Sequence, residues 1–250
     1  MEHREQPIFR AFHHKNFLLF FTGQSISLIG TWSQTLAISW LVWRLTSSAV
    51  WLGAIGFMLQ IPMLILGIPG GVIADRYDRL RLLTVAQILC MLQAILLAWL
   101  TIFGIVQLWE VVVLSLFLGS IYAFEFPLRQ AFVMDMVGKG DLLNAVSLNA
   151  AMIHGTRIVG PVVAGIIVAW KGEGTCFLFN AATFIALITT LLIMDRNKLI
   201  IVKNEHKSFR HSISEMFFHS RNEPNSKLSL ILVGAVTLFG FPYVTLLPIF

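Results

Sequence analysis

Charge is what this chain has least of. Of its 250 residues only 12% are Asp, Glu, Lys or Arg, about half the share of a soluble globular domain, while 57% are apolar. That deficit excludes a water-soluble fold, because so much apolar surface cannot be hidden in one core. Cysteine is scarce as well: Cys90 and Cys176 both lie inside apolar runs, outside any C-x-x-C pair or cluster with metal-ligand spacing. They read as small buried hydrophobes, so no metal site and no cofactor are expected. The phosphate-binding pattern G-x-x-x-x-G-K-[ST] is absent, so a primary pump would need another subunit. Neither H-E-x-x-H nor G-x-S-x-G occurs, which tells against a membrane-embedded enzyme. The first apolar run is too long for a signal-peptide core and has no small-residue cleavage site, so it is expected to stay as a span.

What is present is apolar length. A bilayer core about 30 Å thick takes roughly 20 mostly apolar residues per helical span. Six windows meet that requirement, at 17–43, 49–74, 82–104, 108–130, 143–169 and 175–194. A seventh begins near Leu228 and still runs at Phe250, from which a fragment or truncated product is expected. The fold class is therefore all-α and polytopic.

The net charge of +5 has a topological explanation. The basic residues sit in short loops rather than on one exposed stripe, so no nucleic-acid partner is expected. Lys and Arg accumulate on the cytoplasmic side of membrane proteins. Placing the amino terminus inside puts all but Arg44, Lys171 and Arg157 of the 18 Lys and Arg residues in cytoplasmic segments. The bilayer implied is a bacterial-type inner (cytoplasmic) membrane. Within the basic loop at 195–227, Phe209, Ile213, Met216 and Phe217 share one helical face, and Ser208 is placed to cap its start. That segment reads as a helix on the membrane surface or as an ordered linker. The domains are then a six-helix bundle at 1–194, the cytoplasmic loop at 195–227, and a seventh span opening a second bundle at 228–250.

Between the second and third spans stands Gly71-Val72-Ile73-Ala74-Asp75-Arg76-Tyr77-Asp78-Arg79-Leu80-Arg81-Leu82-Leu83. A glycine there lets two helices approach closely, and Asp75 sets a carboxylate at a helix end where it can face another helix amino terminus or nearby arginines. The segment resembles the signature loop of the major facilitator superfamily, G-x-x-x-D-R-x-G-R-[KR]-x-x-L. Gly71, Asp75, Arg76, Arg79 and Leu83 match; Asp78 replaces a glycine, Leu80 replaces a basic residue, and Arg81 supplies a charge one position later. The resemblance implies a 3+3 repeat in a six-helix bundle. It also implies a loop that latches two halves in the outward-facing state, with Asp75 meeting a helix of a carboxy-terminal half that these residues do not include.

In the fifth span, Arg157-Ile158-Val159-Gly160-Pro161-Val162-Val163-Ala164-Gly165 is similar to the G-P-x-x-G-G element of the superfamily's exporters, with Ala164 in place of the first closing glycine. Pro161 removes a helix hydrogen bond, and Gly160 and Gly165 permit close packing. Phe126-Pro127-Leu128-Arg129-Gln130-Ala131, with Asn144-Ala145 further on, resembles the enterobactin-exporter-like branch, and so points to siderophore or drug efflux.

Gln24, Ser27, Thr31 and Gln34 fall on one face of the first span. They either line a central cavity or glue helices together. Tyr122, Asn149, Thr156 and Gln60 are further cavity candidates. Arg157 near mid-membrane is expected to have a partner or a watery setting, either as a structural pair or snorkelling side chain or as a conformational or substrate-charge contact. Glu125, about two helical turns away in depth, is the proton-coupling candidate rather than its direct partner. Most tryptophans, Trp32 among those counted, suit an interfacial belt. His13 and His14 are expected to be solvated.

The expected function is proton-coupled export of a small amphiphilic substrate by alternating access, with protons and the bilayer as further partners. A lipid flippase on the same fold and an inactive half-transporter needing a second half remain open. The latch reading predicts that Asp75→Asn lowers transport severalfold without impairing membrane insertion. Transport rates unchanged at matched expression would remove Asp75 from the mechanism.

Overall fold

The computed structural model describes residues 9–200, and the side chains of Ile68, Val72, Ala74, Asp75 and Arg76 lie outside that description. The expected surface helix and seventh span also fall outside it. A short 3-10 turn at Arg10–His13 leads into α1 (Lys15–Thr46), followed by α2 (Ala49–Arg76) and α3 (Arg79–Ile102). Helix then runs over Leu108–Lys171, broken at Gly138, whose φ of 68° and ψ of −177° are not helical. The two arms are α4 (108–137) and α5 (139–171), and α6 (Glu173–Leu192) completes the set.

Local chemistry explains the boundaries. Ser47 closes α1 in the left-handed region at φ 49°. The Asp78 carboxylate accepts from the Arg81 N–H at 3.1 Å, capping α3. The departure of residue 78 from glycine in the signature loop therefore has a local structural use. Gln107 and Glu110 form a capping box at the start of α4. Gly138 takes a positive φ that L side chains avoid, which is what lets one helical run become two spans.

Contacts fix the directions. α1 meets α4 through Phe20 and Phe132, and again where Tyr122 neighbours Thr31, so these helices are antiparallel. The 3-10 turn that leads into α1 meets α5 at Ala11 with Asn144, and α1 itself meets it at Trp32 with Gly160, so α1 and α5 run parallel, and α4 and α5 form a hairpin. α6 returns along α1, from Glu173 beside Arg44 to Asp195 beside Asn16. Consecutive helices thus alternate in direction, as the six expected spans require. The fourth helix is longer than its window of 108–130, reaching residue 137 and taking Arg129 into the bundle.

Small residues set the spacing, because lipid supplies no hydrophobic drive between helices and close backbone approach must. A Cβ at Gly23 or Gly30 would strike Thr190 or Thr183 of α6. One at Gly119 would strike the Leu59 carbonyl of α2, and one at Gly160 the Trp32 side chain. Two positions expected to pack closely do not do so among the described residues: a Cβ at Gly71 or Gly165 would meet nothing within 4 Å. Gly70, one residue earlier, makes the contact of α2 with α4 at Ala123.

Three apolar clusters fill the interior. One gathers Phe17, Phe20, Leu83, Phe132 and Leu191 at the basic end of the bundle. A second gathers Leu41, Leu52, Leu97 and Phe177 at the other end, and the third, around Cys90, Leu118 and Phe184, lies between them. Outward-facing Leu64, Ile158 and Val162 are exposed, as a surface solvated by lipid requires. Among the described residues α2 is more peripheral than the helices that follow it, with 17% of its most apolar stretch (Ala49–Gly67) buried against 44–50% for theirs. Gly160→Val should cost about 1–3 kcal/mol through overpacking against Trp32, read as a lower midpoint in detergent unfolding. An unchanged midpoint would mean that the α1–α5 crossing is not packed as described.

Candidate functional site

Polar contacts lie in layers along the bundle axis. At the basic end, Arg79 Nη1 donates to both carboxylate oxygens of Asp135, at 2.8 and 3.0 Å. Asp135 is buried and Arg79 half-buried, and the pair joins α3 to α4. The Asp135 carbonyl also accepts from the Ile200 N–H at 2.8 Å. Just beyond the Gly138 break, Asp141 meets Arg10 Nε and His14 Nε2, each at 2.9 Å, while Asn144 Oδ1 accepts from the Ala11 N–H. Arg81 is exposed and pairs with Asp78 at 3.2 Å.

Further in, Glu125 Oε1 lies 3.4 Å from Arg129 Nη1, one turn along α4, and 3.4 Å from Gln87 Nε2 of α3. Charge-assisted bonds usually run to about 2.7–2.9 Å, so this buried carboxylate is loosely held. Arg129 Nε is buried with no hydrogen-bond partner among the described residues, and the guanidinium lies 5.8 Å from the Phe126 ring centroid. Tyr122 sits between this pair and Thr31 of α1.

The next layer is neutral and tight. Gln34 Nε2 donates to Gln93 Oε1 at 2.9 Å, and Asn180 Nδ2 donates to Gln34 Oε1 at 2.7 Å, so α1, α3 and α6 are tied through one buried side chain. Thr183 adds bonds to Asn180. At nearly the same depth on the other side of α1, the Arg157 guanidinium lies 5.2 Å from the Trp32 ring centroid. One turn from Arg157, the Gly160 carbonyl accepts from the Ser33 hydroxyl at 2.8 Å.

Of the residues singled out on α1, Gln24, Ser27 and Gln34 are buried, and Thr31 turns its hydroxyl onto the Ser27 carbonyl at 3.0 Å. Gln34 takes the second of the two roles open to it, joining helices. On α5, Asn149 and Thr156 are buried on the face that carries Gly160; Thr156 bonds the Met152 carbonyl, and Asn149 Oδ1 has no hydrogen-bond partner among the described residues. Gln60 is exposed. No described contact pairs Arg157 with Glu125, whose described neighbours are Arg129 and Gln87. Trp32 departs from the interfacial belt, since its Nε1 is buried inside the bundle, and His14 is not simply solvated. Sequence reasoning passed over Asp135, Asp141, Gln93 and Asn180. A lone carboxylate or amide inside an apolar run is the signal that marks Asp135, Gln93 and Asn180. Among the described residues no group of His, Cys, Asp and Glu is arranged to hold a metal.

Residues 7–250 match a family model described as a transmembrane secretion effector. The chain is 30% identical over 233 residues to the staphyloferrin A transporter of Staphylococcus aureus, a match covering 92% of this chain and 58% of that protein. It is 24% identical over 236 residues to macrolide efflux protein A of Streptococcus pyogenes, covering 94% of this chain and 57% of the relative. It is also 24% identical over 180 residues to an enterobactin exporter of Shigella boydii, covering 71% and 43%. The chain thus spans about half the length of the curated relatives it matches.

Removing one member of a buried ion pair costs about 3–5 kcal/mol. Asp135→Ala should therefore lower unfolding stability by roughly that amount, and the exchange variant carrying Arg79→Asp with Asp135→Arg should recover at least half of the loss. An exchange variant no more stable than the weaker single variant would show that the pair is not what joins α3 to α4.

Proposed function

The chain belongs to the transmembrane secretion effector family of the major facilitator superfamily, and from that premise we propose that it supplies the first six-helix bundle of a proton-coupled exporter. It is a multi-pass membrane protein of a transporter family and not an enzyme. Its cargo is a small amphiphilic molecule, of the siderophore or drug type that the relatives' names carry. A second bundle completes the path. The inner membrane is its site, with the amino terminus cytoplasmic, in keeping with the distribution of Lys and Arg.

The observation that carries this reading is the loosely held carboxylate of Glu125. Its buried contacts with Arg129 and Gln87 at 3.4 Å are weak enough to exchange, whereas the Arg79–Asp135 and Gln34–Asn180 bonds around it are short. A proton added to Glu125 Oε cancels its charge and ends its attraction for Arg129. The freed guanidinium then favours whichever bundle arrangement gives it another acceptor. Proton and substrate each act by binding one arrangement more tightly than the other, and moving a two-state equilibrium from 1:99 to 99:1 takes about 5.5 kcal/mol of such preference. In this scheme Gly70, Gly119 and Gly160 hold the bundle as a rocking unit, and the loop with Asp75, Arg76, Arg79 and Arg81 meets the second bundle in one arrangement.

The test is efflux of a fluorescent amphiphile from cells expressing this chain joined to a second bundle. Efflux is expected to stop with an uncoupler. Glu125→Gln should lower gradient-driven efflux at least tenfold while downhill exchange of the same probe continues. Uncoupler-sensitive efflux at the original rate in Glu125→Gln would take the proton away from that carboxylate.

A further inference from the structure

Arg81 in the first turn of α3 and Arg196 just beyond α6 are exposed, with side-chain accessibilities of 72% and 56%. Both reach the same carboxylate oxygen: Asp78 Oδ2 lies 3.2 Å from Arg81 Nε and 3.8 Å from Arg196 Nη1. Each distance exceeds the roughly 2.7–2.9 Å of a close charge-assisted bond, and Asp78 Oδ1 is taken up in capping α3. Two residues on, Lys198 reaches Asp195 at 3.9 Å, so among the described residues three cations here face two carboxylates. The surplus positive charge points outward, away from the bundle. Beneath each arginine runs an apolar stripe. Val85, Ile88 and Leu92 follow Arg81 along α3 at helical spacing, and all are exposed. Along α6, exposed Ile185 and Leu192 lead up to Arg196, and Thr189 between them turns its hydroxyl onto the Ile185 carbonyl. The two helices are neighbours at both ends, since Gly174 packs against Ile102 and Ala98 where Asp78 and Arg196 are far away. From Arg81 to Leu92 the helix rises about 16 Å, close to half of a bilayer core about 30 Å thick. Positive charge thus stands above one leaflet's depth of apolar surface.

We propose that Arg81 and Arg196 hold the phosphate of an anionic phospholipid, of the phosphatidylglycerol type, whose acyl chains lie on the outward stripes of α3 and α6. A phosphodiester offers an unesterified oxygen to each guanidinium and takes the place of Asp78 Oδ2, while Oδ1 keeps its bond to the Arg81 N–H. Phosphatidylcholine carries its own cation beside the phosphate, so it gains less from the same two arginines. That the site lies in the cytoplasmic leaflet, and shares Arg81 with a loop that meets a second bundle, rests on the reading above; that lipid binds does not.

The test is native mass spectrometry of the purified chain in detergent, titrated separately with dioleoyl phosphatidylglycerol and dioleoyl phosphatidylcholine, with the affinity of the first bound lipid as readout. Phosphatidylglycerol is expected to bind about tenfold more tightly. Arg81→Gln and Arg196→Gln should each lower its affinity about fivefold and leave phosphatidylcholine unchanged. Lys171→Gln removes the same charge from an exposed position at the opposite end of the bundle and should have no such effect. Asp78→Asn keeps an oxygen for the cap and removes the competing carboxylate, so it should raise phosphatidylglycerol affinity severalfold, a gain that a misfolded variant would not show. Equal affinity for the two lipids in the parent chain would overturn the proposal, as would a loss in Lys171→Gln as large as in Arg196→Gln. Displacement of phosphatidylglycerol by an equal concentration of inorganic phosphate would also overturn it, since the acyl chains would then contribute nothing. The preference is read on this chain alone, so it stands or falls apart from any efflux by the chain joined to a second bundle.

Discussion

Lipid offers neither hydrogen bonds nor a medium for charge, so whatever is polar within the spans has to find its partner inside the bundle. The rest of the structure depends on that constraint. It keeps the backbone helical from Lys15 to Leu192 apart from short breaks at capped ends and at Gly138. It turns the hydroxyls of Thr84, Thr101 and Ser120 back onto carbonyls one turn earlier. It also gathers the long polar side chains into layers, with apolar clusters packed above and below them. Helix association then falls to shape, which is why Gly23, Gly30, Gly119 and Gly160 stand where helices cross.

The all-α architecture was legible in the sequence because span length is a composition effect, repeated from helix to helix. The windows at 17–43 and 175–194 lie close to α1 and α6 for that reason. What the windows missed was set by single residues. The hydropathy of α4 falls at Arg129, yet Asp135, six residues on, has Arg79 as a partner, and the helix therefore continues to residue 137. No periodicity in α4 alone reveals a partner on α3. Gly71 and Gly165 were read from a motif, while close packing depends on which face a neighbour occupies, and in the described bundle Gly70 and Gly160 have the neighbours. Of the four polar residues that spacing puts on one face of α1, Gln24, Ser27 and Gln34 are buried and Thr31 is half-buried. Their division between cavity and glue was not legible, because it turns on Gln93 and Asn180, which are remote in sequence.

Beside the seam between α3 and α4 stand two ion pairs of the same residue chemistry, one crossing the seam and one lying within α4. Arg79 and Asp135 meet at 2.8 Å with both carboxylate oxygens engaged, whereas Arg129 and Glu125 meet at 3.4 Å through one oxygen. A pair like the first resists separation, since parting it leaves two charges in a poor solvent. The second has less to lose and has Gln87 and Tyr122 beside it as polar company. A switch built on this seam would move at Glu125 and pivot at Asp135.

A similar separation of duties runs around α1. Gln34 and Trp32 are two residues apart, so they point about 200° from each other around the helix. On one side Gln34 binds Gln93 and Asn180, which locks α1 to α3 and α6. On the other side Trp32 faces Arg157 and Gly160 of α5. An element held by such contacts on one side keeps the geometry of what it presents on the other. The Gln34 network therefore steadies the α1 face on which Trp32 packs against Gly160 and under Arg157.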